Sequence, residues 1–228
     1  MNDGGIGGDY ALGLARPPQQ GRSRQSFERM MNAAEALLVE QGSDGFTLID
    51  VSRVGRISIG SIYNRFASKD ELIQAVHARA MERIEKEQGL IVMRARSKGN
   101  SPLSLTRAIV NELGEFLASN APTMRPMMLR AAHDPIVQQR GRVAHEQMVE
   151  AVTQELLGYR DHITHEDPER AVRSIIAIAY AAFARVLGFG MTEALADADN
   201  WAELKEDVGT MTVRFLFSTI TEADFKPA

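Results

Sequence analysis

The 228-residue chain contains no cysteine, so neither a disulfide framework nor a thiolate-ligated metal can contribute to its fold or chemistry. Nothing therefore points to an oxidising compartment. Long hydrophobic runs are also missing: the longest, Ile175 to Ala184, is ended by Arg185, well short of the ~20 residues that a membrane span needs. The first residues lack the basic segment and following apolar stretch of a signal peptide. The expectation is a soluble, cytoplasmic chain with no membrane role. Strand-type alternation, internal repeats, a Gly-rich phosphate loop and a Ser/His/Asp order are all lacking, and no enzyme and no cofactor are expected. His162 and His165 lie close to Asp161, Glu166 and Asp167, but the segment reads as a polar loop between helices rather than a metal site. His133 and His145 form no evident dyad.

A basic excess is absent as well. The net charge is −4, which for the whole chain argues against nucleic acid, because neutralising phosphates normally requires a basic domain. The average hides an asymmetry. From Arg16 to Lys69 there are eight Lys and Arg residues against five Asp and Glu, and the acidic excess lies mostly in the carboxy-terminal two thirds.

The stretch Thr47 to Leu72, TLIDVSRVGRISIGSIYNRFASKDEL, organises the rest. Thr47 with Asp50 three residues on is a capping box, so a helix starts there, with Leu48 and Val51 on one face. Gly55-Arg56-Ile57 interrupts the pattern, and Ser58 offers a second N-cap oxygen. A second short helix is expected from about Ile59 to Arg65, with Ile62 inward and Ile59, Gly60, Ser61, Tyr63 and Asn64 outward. Ser68 and Glu71 form another capping box and place Lys69 in the first turn of a third helix. A cation is unfavourable there on dipole grounds unless a phosphate lies nearby. Two short helices, a tight turn and a capped third helix outline a helix-turn-helix.

In Ser58, Gly60, Ile62, Tyr63, Phe66, Lys69 and Leu72 the chain resembles the TetR/AcrR family of bacterial transcriptional regulators, by motif over Arg24 to about Ala80. One departure stands out: the family usually has Ala-Gly in the turn, whereas here Gly55-Arg56 puts Arg where the Gly would sit. If that position requires positive φ, a non-Gly residue costs about 1 kcal/mol. The DNA-binding set expected from this reading is Thr47, Arg56, Ser58, Ile59, Gly60, Ser61, Tyr63, Asn64 and Lys69, with Tyr63 and Lys69 on phosphates and Ile59, Ser61 and Asn64 facing bases.

Met1 to about Gln20 is Gly-rich, carries Pro17-Pro18 and is expected to be disordered. Arg22 and Arg24 read as part of a solvated tail, with a minor-groove arm as the alternative. From about Ser23 a helix carries Phe27, Met30, Met31, Ala34, Leu37 and Leu38 to a stop at Gly42. The helix capped at Ser68 continues through Val76 and Ile84, and Gly89 ends or kinks it. Ser101-Pro102, Asp134-Pro135 and Asp167-Pro168 each pair an N-cap with Pro in the first turn. A short helix is expected near Met124 to Ala132, and the last helix starts at Asn200 with Glu203. The helix from Pro168, apolar on most of its circumference, and Gly209 inside the last helix both suggest a two-fold interface between copies, as the resemblance implies.

The fold expected is all-α: a disordered tail over 1–22, a three-helix DNA-binding domain over 23–76, and a larger helical domain over 77–228 for effector binding and dimerisation. Phe116, Met124, Met127, Met128, Met148, Tyr180 and Phe183 are candidates to line an effector pocket, since Met offers adaptable apolar surface. The function implied is a homodimeric regulator, a repressor released from a pseudo-palindromic double-stranded DNA operator by a small apolar or amphipathic effector. The rival is an all-α protein-binding adaptor or ligand carrier whose helix-turn-helix is purely structural.

Overall fold

The computed structural model describes residues 21–189 and 198–218. Residues 1–20 of the tail expected to be disordered lie outside these residues, as does Gly190, the alternative stop for the helix from Pro168, whereas Gly21, Arg22 and Arg24 fall within the first helix. The described elements are α1 (Gly21–Gln41), α2 (Leu48–Gly55), α3 (Ile59–Tyr63), α4 (Lys69–Gln88), α5 (Ile91–Lys98), α6 (Pro102–Ala131), α7 (Pro135–Leu157), a 3-10 turn (Arg160–His162), α8 (Pro168–Val186) and α9 (Ala198–Phe217). No strand occurs among the described residues, and none of their helices is long and apolar enough to cross a membrane.

Local chemistry sets most of the boundaries. Gly42, at φ 62°, takes the left-handed conformation that ends α1. Asp134 Oδ1 accepts from the amides of Ile136 and Val137 to start α7, and Asp167 Oδ1 accepts from the amide of Arg170 to start α8. Gly89 does end α4, but only Leu90 separates it from α5, a helix the sequence pattern did not single out.

The expected short helix from Met124 does not stand alone. It is the last part of α6, which runs unbroken through Pro122 and Pro126. An interior proline costs about 3 kcal/mol, and the compensation here is burial: Ala121, Pro126, Met127 and Arg130 all face inward in this stretch.

The chain forms two compact units that do not follow its order. One comprises the residues up to Lys86 together with Asn120–Val143 and Phe189; the other comprises Glu87–Ser119, Ala144–Gly188 and α9. The first unit's core joins Phe27, Met30, Leu38, Phe46, Ile62, Phe66, Leu72 and Val76 with Met127 of α6. Arg79 and Arg83 of α4 both pair with Glu35 of α1, Arg79 at 2.7 Å. The second unit is centred on Leu105, Ile109, Val152, Val172, Ile176 and Leu216.

Candidate nucleic-acid interface

The helix-turn-helix is assembled by caps. The amide of Asp50 donates to Thr47 Oγ1 at 3.2 Å, and the amide and hydroxyl of Thr47 donate to Asp50 Oδ2 at 2.9 and 2.7 Å. Arg53 adds a bond to Asp50 Oδ1 at 2.9 Å. Thr47, by side chain and then backbone, and Arg53 together hold the Asp50 carboxyl down at about 2. The box stays ionised wherever the protein is folded near neutral pH.

The turn settles the departure from the family pattern. Arg56 adopts φ 49° and ψ 52°, a left-handed conformation that an L side chain enters at a cost of about 1 kcal/mol. Glycine sits one position earlier for a different reason. Gly55 is buried, and a Cβ there would lie 3.2 Å from the Arg29 carbonyl oxygen and 3.3 Å from Ala33 Cβ of α1. Close helix contact therefore claims the glycine, and the left-handed residue is left to Arg56, whose side chain is exposed.

Ser58 caps α3 by accepting from the amide of Ser61 at 3.1 Å, and the two hydroxyls are 2.8 Å apart. The helix ends at Tyr63, two residues earlier than expected, with Asn64 as its cap. Ile62 is fully buried, whereas Ile59, Gly60, Tyr63 and Asn64 are exposed and Ser61 is half-buried. One side of α3 therefore packs on the core and the other is presented outward. After it, Arg65 donates to the Ser23 carbonyl at 3.0 Å and lies over the Phe27 ring, fastening the end of the motif to the start of α1.

Lys69 is half-buried at the start of α4, donates to the main-chain carbonyl of Asp44 and sits 5.2 Å from the centre of the Phe46 ring. An ammonium has three donors, so this contact orients it without exhausting it. Glu71 Oε2 accepts from the Ala67 amide at 2.7 Å while Ser68 Oγ accepts from Glu71, a capping arrangement displaced by one residue. Sequence reasoning missed the partners that hold this region, Ser23 for Arg65 and Asp44 for Lys69, because both lie far away in the chain.

The candidate pocket residues fall in both units. Met127 is core in the first, with Met124 and Met128 half-buried on the same part of α6. Phe116, Met148, Tyr180 and Phe183 belong to the second. There Tyr180 meets His145 edge to face at 4.7 Å, and Phe183 meets Trp201 at 5.2 Å. Burial raises the Tyr180 phenol and lowers the His145 imidazolium. On the outer surface of α8 and α9, Ile178, Met211 and Phe215 are exposed. A Cβ added at Gly209 would meet Arg107 of α6 at 3.7 Å, an ordinary contact, so packing within the chain does not itself require glycine there.

A small capped helix pair with an exposed second helix, built into an all-helical chain, defines the class: a helix-turn-helix, the arrangement by which DNA-binding proteins present a helix to the major groove. Residues 30–76 match the family described as bacterial regulatory proteins, tetR family. The fold is shared with solved structures. A TetR-family transcriptional regulator from Mesorhizobium loti MAFF303099 is 17% identical, with a TM-score of 0.61 over 86% of this chain and 97% of that one. A transcriptional regulator from Rhodococcus sp. RHA1 is 18% identical, with a TM-score of 0.62 over 85% and 98%. A TetR transcription regulator from Haloarcula marismortui is 19% identical, with a TM-score of 0.57 over 85% and 98%. Comparison with curated protein sequences gives no match. Over residues 30–76 the chain is thus similar to bacterial regulatory proteins of the tetR family, and its fold is that of the solved regulators named above.

Proposed function

We propose that the protein is a homodimeric repressor that leaves a pseudo-palindromic operator when a small apolar or amphipathic effector binds. The observation that carries the DNA-reading part is the division of α3, with Ile62 buried and Ile59, Tyr63 and Asn64 exposed on the other side. In the dimer two such helices enter successive major grooves about 34 Å apart. Tyr63, Lys69 and Arg56 hold phosphates, supported by Thr47 and Ser58 at the starts of α2 and α3. Ile59, Ser61 and Asn64 face base edges, and Gly60 allows close approach. Ser61 reads a base only by sharing its hydroxyl with Ser58.

Dimerisation is assigned to α8 and α9, where Ile178, Met211 and Phe215 are exposed. Effector binding is assigned to the apolar and aromatic side chains Phe116, Met148, Tyr180 and Phe183, with Met124, Met127 and Met128 of α6 as further candidates. A 100-fold switch needs only about 2.7 kcal/mol of differential binding between two conformations.

The test has two parts. DNA retained from a random pool should converge on a two-fold-related sequence and bind with steep salt dependence. Retention of no DNA would instead favour the adaptor or carrier reading, with which the net negative charge agrees. Titration of the complex with apolar compounds should then yield one that weakens DNA binding, and DNA should weaken that compound's binding by the same factor. A tight binder without this reciprocity would make the protein an effector-independent repressor.

A further inference from the structure

Arg130, near the end of α6, is buried within the first unit and bonded to three carboxylates. Its Nη1 donates to Asp44 Oδ2 at 2.6 Å, its Nη2 to Asp70 Oδ1 at 2.7 Å, and its Nε and Nη2 to Asp134 Oδ2 at 3.0 Å. Asp44 lies three residues before the cap of α2, and Asp70 is the second residue of α4. One guanidinium thus grips the chain just before and just after the helix-turn-helix. Its third partner is itself anchored: Asp134 caps α7 and accepts from Gln74 Nε2 of α4 at 3.1 Å.

We propose that Arg130 is a positioning residue for DNA binding, whose three-way hold on Asp44, Asp70 and Asp134 sets the placement of the helix-turn-helix. This rests on the reading of the protein as a DNA-binding regulator. Two physical arguments support it. The first is geometric: a planar guanidinium has donors fixed in a fork, so α6 cannot shift at Arg130 without breaking a charge-assisted bond on one side of the motif or the other.

The second argument is electrostatic. Lys69, a proposed phosphate ligand, is bonded to the main-chain carbonyl of Asp44, whose carboxylate is already engaged by Arg130. Without Arg130, the Asp44 and Asp70 carboxylates would each lose a charge-assisted partner, one on either side of the motif. Asp44 would then compete with phosphate for Lys69.

The test compares wild type, Asp44→Asn, Asp70→Asn, Arg130→Lys and Arg130→Met on the DNA that wild type selects from a random pool and on an unrelated duplex. Stoichiometric titration supplies the binding-competent fraction of each, which separates poor folding from weak binding. The two Asn variants decide between explanations. Removing an acid near DNA by charge alone tightens binding to any duplex, whereas loss of positioning weakens the selected sequence. We expect Asp44→Asn and Asp70→Asn to lose three- to tenfold on the selected DNA with little change on the unrelated duplex. Arg130→Met should lose more than tenfold, and Arg130→Lys, which keeps the charge but not the fork, should fall between. Unchanged or tighter binding of the selected DNA by both Asn variants overturns the positioning role while leaving the DNA-binding reading intact. Failure of wild type to retain any DNA overturns that reading, and the role with it.

Discussion

The hydroxyl of Ser52 donates to the main-chain carbonyl of Ile57 at 2.6 Å, across the turn in which Arg56 is left-handed. The amide of Ile57 returns a bond to the Ser52 carbonyl at 3.1 Å, so the same two residues close the turn twice. The conformation of Arg56 is therefore imposed by its neighbours. Arg56→Gly should relieve the strain and stabilise the fold by about 1 kcal/mol, a rise of roughly 2 to 4 °C in Tm. The same substitution should weaken DNA binding if the exposed guanidinium holds a phosphate. Thermal unfolding and DNA titration on one variant then move in opposite directions; a gain in both would remove Arg56 from the interface.

Lys69→Ala should weaken all DNA sequences alike and make the salt dependence shallower by about one unit. Asn64 and Ser61 substitutions should instead change preference at particular base pairs by about 1 to 3 kcal/mol. Ser61→Ala also loses its bond to Ser58, so Asn64 is the cleaner probe. Binding to a panel of single-base variants of the selected DNA at several salt concentrations distinguishes the two behaviours. Equal loss of specificity from every substitution would end the division of roles.

Dimerisation is best probed at exposed positions. Phe183 is fully buried against Trp201 within its own unit, so Phe183→Asp tests the fold rather than association. Ile178→Asp and Met211→Asp place charges on side chains about three-fifths exposed, and each should leave the fold intact while producing a monomer in sedimentation. Dimers that persist in both variants at micromolar concentration would move the interface elsewhere.

His77, buried on α4, should make the first unit's stability depend on pH. Burial foremost, and the charge of Arg140 next, lower its imidazolium to about 4 against an ordinary 6.5, with Asp134 opposing. The folded state thus keeps His77 neutral where the unfolded chain takes up a proton. Its contribution is complete above about pH 6.5 and is lost as pH falls towards 4. Urea unfolding should show about 2 kcal/mol less stability at pH 5 than at pH 7.5 from this group, and His77→Leu should flatten that interval. Parallel profiles for the two proteins would show that the imidazole is not the cause.

What was legible in the sequence was what short range decides. The boxes at Thr47 and Asp50, the caps at Ser58, Asp134 and Asp167, and the stop at Gly42 each involve groups within three or four residues of one another. Their chemistry is fixed before the chain folds. The inward Ile62 and outward Tyr63 follow equally from helical period.

Tertiary packing decided the rest. That Pro122 and Pro126 do not divide α6 depends on the core that Met127 joins, and no local preference announces it. That Arg56 is left-handed follows from Gly55 being needed against α1, an approach between residues more than twenty positions apart. The partners of Arg130 lie 86 and 60 residues away at Asp44 and Asp70, and any of the chain's many Asp and Glu residues would have suited it equally by charge. The sequence by itself thus determined an all-helical chain with a helix-turn-helix and its outward face, because caps and periodicity act over one turn. Only the folded structure decided which carboxylates bracket that motif, because opposite charges find each other by proximity in space and leave no spacing in the chain to be read.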